Sequence, residues 1–144
     1  MKKMDYLEMN FSDVPSNPDL ILINPPFSKY GEKIWESTKK YLKDNSLSSR
    51  PFFPEVFLNK TIELFGKSTP IVLFTPYGMR LNITHVSKRY KKFTNRLYPK
   101  IVSIISLPKN VYNHQNGKEI LFHSEILIFN LPYGPHKIEP HYFF

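Results

Sequence analysis

The sequence predicts an α/β domain whose sheet is mostly parallel, and two patterns carry that prediction. Four apolar runs have the length of a buried strand, and each is followed at once by a proline or by a turn that contains prolines: Leu20–Ile23, Pro70–Thr75, Ile101–Leu107 and Ser124–Leu131. Segments with helical periodicity separate the first three runs, and such alternation is typical of βαβ units. With 144 residues and no linker-like stretch, the chain is expected to form one domain.

The first strand is expected to span Asp19 to Ile23 and to lie in the centre of the sheet, because its run is apolar on both faces. It must end at the Asn24–Phe27 turn (Asn-Pro-Pro-Phe), since proline cannot donate to a sheet ladder. A rigid polar turn that closes a buried strand is where α/β proteins present groups to ligands. This turn is therefore the candidate site, and two of its backbone carbonyls remain free as acceptors.

Periodicity and capping residues predict the helices that follow. The first helix is predicted over Glu32–Lys43, and a loop rich in Ser, Asn and Pro follows over 45–54. A second helix is expected to begin at Pro54 and to stop at Gly66, because proline suits the first helical turn and glycine the end. The basic stretch His85–Leu97 is predicted to be the third helix.

The two late apolar runs are expected to form a hairpin. No helical pattern lies between Ile101–Leu107 and Ser124–Leu131, and the connection contains a polar loop at Asn113–Gly117. Parallel strands need a long crossover, whereas antiparallel strands do not. One of these two strands is therefore predicted to run antiparallel to the rest of the sheet.

Composition narrows the classes of function. The net charge of +8, from 20 Lys and Arg against 12 Asp and Glu, favours a polyanionic partner, with nucleic acid first. The sequence contains no cysteine, which excludes disulfides and cysteine nucleophiles. No apolar run approaches the ~18 residues of a membrane span, so we expect a cytoplasmic protein without a membrane partner.

The predicted third helix supplies a second group of candidate residues. Five of its basic side chains are expected to contact nucleic-acid phosphates: Lys88, Arg89, Lys91, Lys92 and Arg96. The alternative interpretation is a solvated helix face without a ligand. The histidines lack the close paired spacing of a helical metal site, so no metal site is predicted.

The segment Asp19–Phe27 (Asp-Leu-Ile-Leu-Ile-Asn-Pro-Pro-Phe) resembles the catalytic motif of amino-group methyltransferases that use S-adenosylmethionine, especially the adenine-N6 DNA methyltransferases. The order of the later strands is similar to the second half of that fold, so the resemblance spans about 5–131. It implies a Rossmann-like sheet with helices on its faces and an antiparallel terminal hairpin. Guanine-N2 RNA and protein-glutamine methyltransferases share the Asn-Pro-Pro-aromatic pattern and stay open as alternatives.

The resemblance assigns catalytic roles within the turn. The side-chain oxygen of Asn24 and the carbonyl of Pro25 would accept hydrogens from an exocyclic amine, whose lone pair is otherwise delocalised into the base. Pro26 would hold the turn rigid, and Phe27 would stack on an extruded base, a contact worth ~1–3 kcal/mol. The implied methyl donor, if the protein is active, is S-adenosylmethionine, and DNA is the implied partner.

The donor-binding features of this family are not visible in the sequence. The glycines are isolated and form no G-x-G turn, and 23 residues precede Asn24. We therefore expect a truncated sheet without the donor-binding half, in which Asp5 alone resembles the acidic residue that contacts the donor. Such a protein would be inactive alone and would pair through its exposed sheet edge, as a homodimer or with a donor-binding partner chain. The non-enzymatic alternative is a methyltransferase relic that binds nucleic acid or a methyltransferase.

Overall fold

The computed structural model describes residues 4–14, 16–26, 31–45, 52–79, 88–108, 123–131 and 141–143. For residues 31–34, 88, 90 and 141–143 it describes the backbone alone. The strands are β1 (Ile21–Ile23), β2 (Ile71–Pro76), β3 (Ile101–Ser106), β4 (Ser124–Phe129) and β5 (His141–Phe143). The helices are α1 (Gly31–Asp44), α2 (Phe53–Phe65) and α3 (Lys88–Thr94). Short 3-10 turns lie at Tyr6–Glu8, Phe11–Asp13 and Tyr77–Met79.

The described strands form one mixed sheet in the order β1-β2-β4-β3-β5. Strand β4 is antiparallel to both β2 and β3, whereas the β1–β2 and β3–β5 pairs are parallel. Four strands therefore run one way and β4 runs the other, which confirms the predicted α/β fold with its antiparallel hairpin. Strand β5 was not predicted, because its sequence His-Tyr-Phe carries no strand-length apolar run.

The sheet has two unlike faces, because alternate residues of a strand point to opposite sides. One face, here called the helix face, packs against Leu58 of α2 and carries the largest core cluster: Ile23, Ile71, Leu73, Leu127 and Phe129. The other face, here called the open face, carries the residues between them: Leu22, Val72, Phe74, Ile126 and Ile128. Neither core cluster of the described residues includes a side chain of the open face. Burial alternates along β2 accordingly.

The prediction that the first strand is central and fully buried is wrong for the described residues. Strand β1 lies at an edge of the sheet, and the side chains of Leu20 and Leu22 are 47% and 71% exposed. An apolar run predicts cover on both faces, yet only Ile21 and Ile23 meet the core. Association through this edge of the sheet stays a prediction.

The helices follow the predictions with small shifts of their ends. Gly66 caps α2 as expected: its N–H donates to the carbonyl of Ile62 at 2.8 Å, and its φ of 78° suits glycine. Helix α3 ends at Thr94 rather than Leu97, and Arg96 just beyond it has a left-handed φ of 56°. The predicted loop at Asn113–Gly117 lies outside the described residues. None of the described helices is long and apolar enough to cross a membrane.

Candidate active site

The predicted catalytic turn leaves β1 at its carboxyl end. Asn24 is exposed, Pro25 is buried and Pro26 is half-buried, so the amide side chain stands at the surface on a fixed backbone. The register pairs Ile23 with Leu73, so Asn24 follows at the level of Phe74, two residues before β2 ends at Pro76. The predicted stacking residue, Phe27, lies outside the described residues. The role of the turn in catalysis stays a prediction.

A groove of about 430 Å³ runs along the free edge of β1 and reaches Asn24. Its walls include the side chains of Tyr6, Phe57 and Phe65. The rings of Tyr6 and Phe57 stack at a centroid distance of 5.6 Å and an angle of 17°. The N-terminal turn and Asn24 therefore line the same groove.

Asp5 has a local structural role at the start of that N-terminal turn. One of its carboxylate oxygens accepts a hydrogen bond of 3.0 Å from the amide of Leu7 and so caps the turn Tyr6–Glu8. The hydroxyl of Tyr6 lies 2.7 Å from that of Thr61, and burial raises the pKa of Tyr6. These contacts fix Tyr6 in the wall of the groove, and the predicted donor contact of Asp5 stays a prediction.

A row of polar residues crosses the sheet close to the Asn24–Pro26 turn. Thr75 of β2 pairs with Glu125 of β4, which pairs with Ser106 of β3. Thr75 and Glu125 are fully buried, and the buried hydroxyl of Ser124 has no hydrogen-bond partner among the described residues. The sequence analysis missed this row, although a glutamate inside the apolar run of β4 was a signal for it.

The five predicted nucleic-acid-binding residues have different surroundings. The Nε of Arg89 lies 2.7 Å from one Glu55 carboxylate oxygen, and the Nζ of Lys92 lies 3.7 Å from the other. The hydroxyl of Tyr98 donates to the same carboxylate at 2.8 Å, and burial beside Glu55 raises the pKa of Tyr98. Arg89 and Lys92 therefore connect α3 to α2 through Glu55. A phosphate would have to compete with the Glu55 carboxylate for these two side chains.

Of the remaining basic residues, Lys88 and Lys91 lie in α3 and Arg96 lies just beyond it. Lys91 and Arg96 are exposed, and the side chain of Lys88 lies outside the described residues. Arg89 donates to the carbonyl of Gly78 just after β2, whereas the Arg96 carbonyl accepts from Lys67, which precedes β2. The amino end of α3 thus lies near the carboxyl end of β2, at the same end of the parallel strands as Asn24, and Arg96 lies near the amino end of β2.

Comparison with solved structures assigns the fold. The chain is similar to the crystal structure of a protein from Listeria monocytogenes provisionally described as a class I S-adenosylmethionine-dependent methyltransferase. The TM-score is 0.50, the sequence identity is 15%, and the match covers 92% of this chain and 39% of that chain. The similarity shows the fold, and the chain spans about two fifths of its neighbour's length. No family model and no curated protein matches the sequence.

Proposed function

We propose that this chain is the catalytic part of an S-adenosylmethionine-dependent methyltransferase, with adenine N6 in DNA as its substrate. The observation that carries the proposal is the Asn24–Pro26 turn, which presents the exposed side chain of Asn24 at the carboxyl end of a parallel strand in a sheet with a methyltransferase fold. Ligands of open α/β sheets bind outside the carboxyl ends of the strands.

The turn offers acceptors suited to an amino group on an aromatic ring. The amide oxygen of Asn24 and the carbonyl of Pro25 would each accept one N–H of the amine, which directs the lone pair of that nitrogen away from the ring. Rigid placement of both acceptors lowers the entropic cost of this arrangement. Phe27 would supply the stacking surface for the base.

The described groove does not fit the whole methyl donor. S-adenosylmethionine carries an ammonium, a carboxylate and a sulfonium, which need polar or charged partners when they are removed from water. The groove is lined by apolar and aromatic side chains, and Asn24 is its polar exception. The carboxylate of Asp5 is engaged with the amide of Leu7. We therefore derive no step through the donor from these residues.

Methyl transfer is the direct test. The protein is incubated with labelled S-adenosylmethionine and DNA, alone and with each polypeptide encoded beside its coding sequence, with RNA and protein substrates in parallel. We expect label on adenine in at least one combination, and a loss of about 100-fold in Asn24→Ala. Asn24→Asp keeps an acceptor at the same place and should retain more activity.

Asn17→Ala is the matched control, because Asn17 is exposed and precedes the amino end of β1, whereas Asn24 follows its carboxyl end. It should leave transfer unchanged. Label on RNA or protein instead of DNA would reassign the substrate, and absence of transfer in every combination would contradict the proposal.

A second function, nucleic-acid binding without catalysis, is favoured by the exposed cations Lys91 and Arg96. In that case DNA affinity falls by similar factors in Lys91→Ala and Arg96→Ala, and the slope of log affinity against log salt drops by about one for each lost phosphate contact. Phe27→Ala would leave the affinity unchanged, whereas a base-stacking role predicts that it weakens binding.

A further inference from the structure

A second cavity lies between the N-terminal turn, α1 and α2, and it is separate from the groove that reaches Asn24. Its volume is about 350 Å³, which is within the range of small-molecule sites, and the described residues that line it all differ from those of the groove. Charged side chains from all three elements contribute to its walls: Glu8, Lys40, Asp44, Lys60 and Glu63. The proposed methyl transfer uses none of these side chains.

Lys60 is the buried cation of this cavity, with a side chain that is 5% exposed. Its Nζ donates to a carboxylate oxygen of Glu63 at 2.9 Å and lies 5.5 Å from the centre of the Tyr41 ring. An ammonium group has three N–H donors, and Glu63 is its one hydrogen-bond acceptor among the described residues. Because a buried donor without an acceptor is costly, Lys60 favours a further acceptor inside the cavity.

The carboxylate of Glu63 is engaged on both of its oxygens. One accepts from Lys60, and the other accepts from the hydroxyl of Tyr41 at 3.0 Å. Burial and the nearby Glu63 carboxylate raise the pKa of Tyr41, so its hydroxyl keeps the proton that it donates. The negative charge of Glu63 is therefore partly compensated, and Lys40 adds a second ammonium group to the cavity wall.

Glu8 and Asp44 supply two exposed carboxylates to the same cavity. Neither forms an ion pair with another of the described residues. Asp44 is the last residue of α1, where the helix dipole disfavours a negative charge. A positively charged group of a ligand would therefore be stabilised beside these two carboxylates.

We propose that this cavity binds a free amino acid in its zwitterionic form. The carboxylate of the ligand would accept from Lys60, with Lys40 as the second cation, and its ammonium group would lie beside Glu8 and Asp44. An anionic ligand would meet three carboxylates and a cationic ligand two ammonium groups, whereas a zwitterion matches charges of both signs. The site goes beyond the proposed function, since its residues take no part in the chemistry at Asn24.

Isothermal titration calorimetry of the whole chain with each common amino acid tests this site. We expect at least one amino acid to bind, and its N-acetyl and methyl-ester derivatives to bind at least about tenfold more weakly, because each has lost one charge. Lys60→Met should weaken binding by about tenfold for the same reason. Asp44→Asn, at an exposed position, should weaken it by about threefold. Glu36→Gln is the matched control, since Glu36 is an exposed glutamate of α1 that does not line the cavity, and it should leave binding unchanged.

Other outcomes overturn the proposal. Absence of binding for every amino acid at millimolar concentration would contradict it, as would equal binding of the charge-deleted derivatives. Binding that neither Lys60→Met nor Asp44→Asn weakens would place the ligand elsewhere, and Asp44→Asn decides this point if Lys60→Met fails to fold. Binding of neutral sugars or of Mg²⁺ in place of amino acids would assign the cavity to another ligand. Because calorimetry measures binding and not methyl transfer, a failure here leaves the proposed function standing.

Discussion

The two faces of the sheet differ in how far this chain covers them. On the helix face Leu73 and Leu127 are fully buried, and α2 packs against them. On the open face the neighbouring residues Val72 and Ile128 are partly exposed, and Leu22 at the edge is mostly exposed. Among the described residues the helix face therefore carries a complete core, whereas the open face has an apolar surface that neither core cluster includes.

Adjacent residues of β4 give the largest expected contrast between the faces. Leu127→Ala should lower the free energy of unfolding by about 3 kcal/mol, because it leaves a cavity in the helix-face core. Ile128→Ala, one position along on the open face, should cost about 1 kcal/mol. Urea unfolding measures both. Equal losses would mean that the open face is packed as tightly as the helix face.

The contacts of Glu55 with Arg89 and Tyr98 are expected to make the next largest contribution to the free energy of unfolding. Glu55→Ala would leave the partly buried Arg89 and the buried Tyr98 without their shared acceptor, at a cost of about 3 kcal/mol. Glu36→Ala is the matched control, because the Glu36–Lys39 pair is 69% and 51% exposed and should contribute less than about 0.5 kcal/mol. Thermal unfolding distinguishes the two variants. Similar melting temperatures would contradict a stabilising role for the contacts that Glu55 makes between α2 and α3.

The fold class and the late hairpin could be predicted because they depend on local patterns. The strand-length apolar runs and the Gly66 cap are read directly from neighbouring residues. The position of β1 could not be predicted in the same way. A continuous apolar run looks identical whether a second layer covers it or not, so only the contacts show that Leu22 lies at an edge.

The candidate site was predictable for its sequence motif and not for its surroundings. Asn24 and Pro25 form one local turn, and their types alone indicate acceptors. Long-range pairing decides the rest: Tyr6 reaches the groove by stacking on Phe57, and Arg89 is held by Glu55, 34 residues away. A basic helical stretch does not reveal which of its cations already has a carboxylate partner.

High pH should lower the free energy of unfolding through Tyr98. The folded protein holds the pKa of Tyr98 above its ordinary value of 10.0, through burial and the nearby Glu55 carboxylate. The stability from its neutral form is complete below pH 10 and is lost as pH rises above that value, since only the unfolded state then releases the proton readily. Between pH 8 and pH 11 the free energy of unfolding of Tyr98→Phe should fall by about 1 kcal/mol less than that of the wild type, as measured by urea unfolding. Tyr77→Phe, at an exposed tyrosine, should follow the wild type.

The smallest expected effect is on the open side, at Leu22. Leu22→Lys should change the free energy of unfolding of the isolated chain by less than about 0.5 kcal/mol, because the 71% exposed side chain has little packing to lose. Thermal and urea unfolding should agree on this value. A loss above 2 kcal/mol would show that Leu22 belongs to the chain's own core, and the open face would then need no partner. Near-neutral stability would instead show that the hydrophobicity of Leu22 contributes nothing measurable to folding.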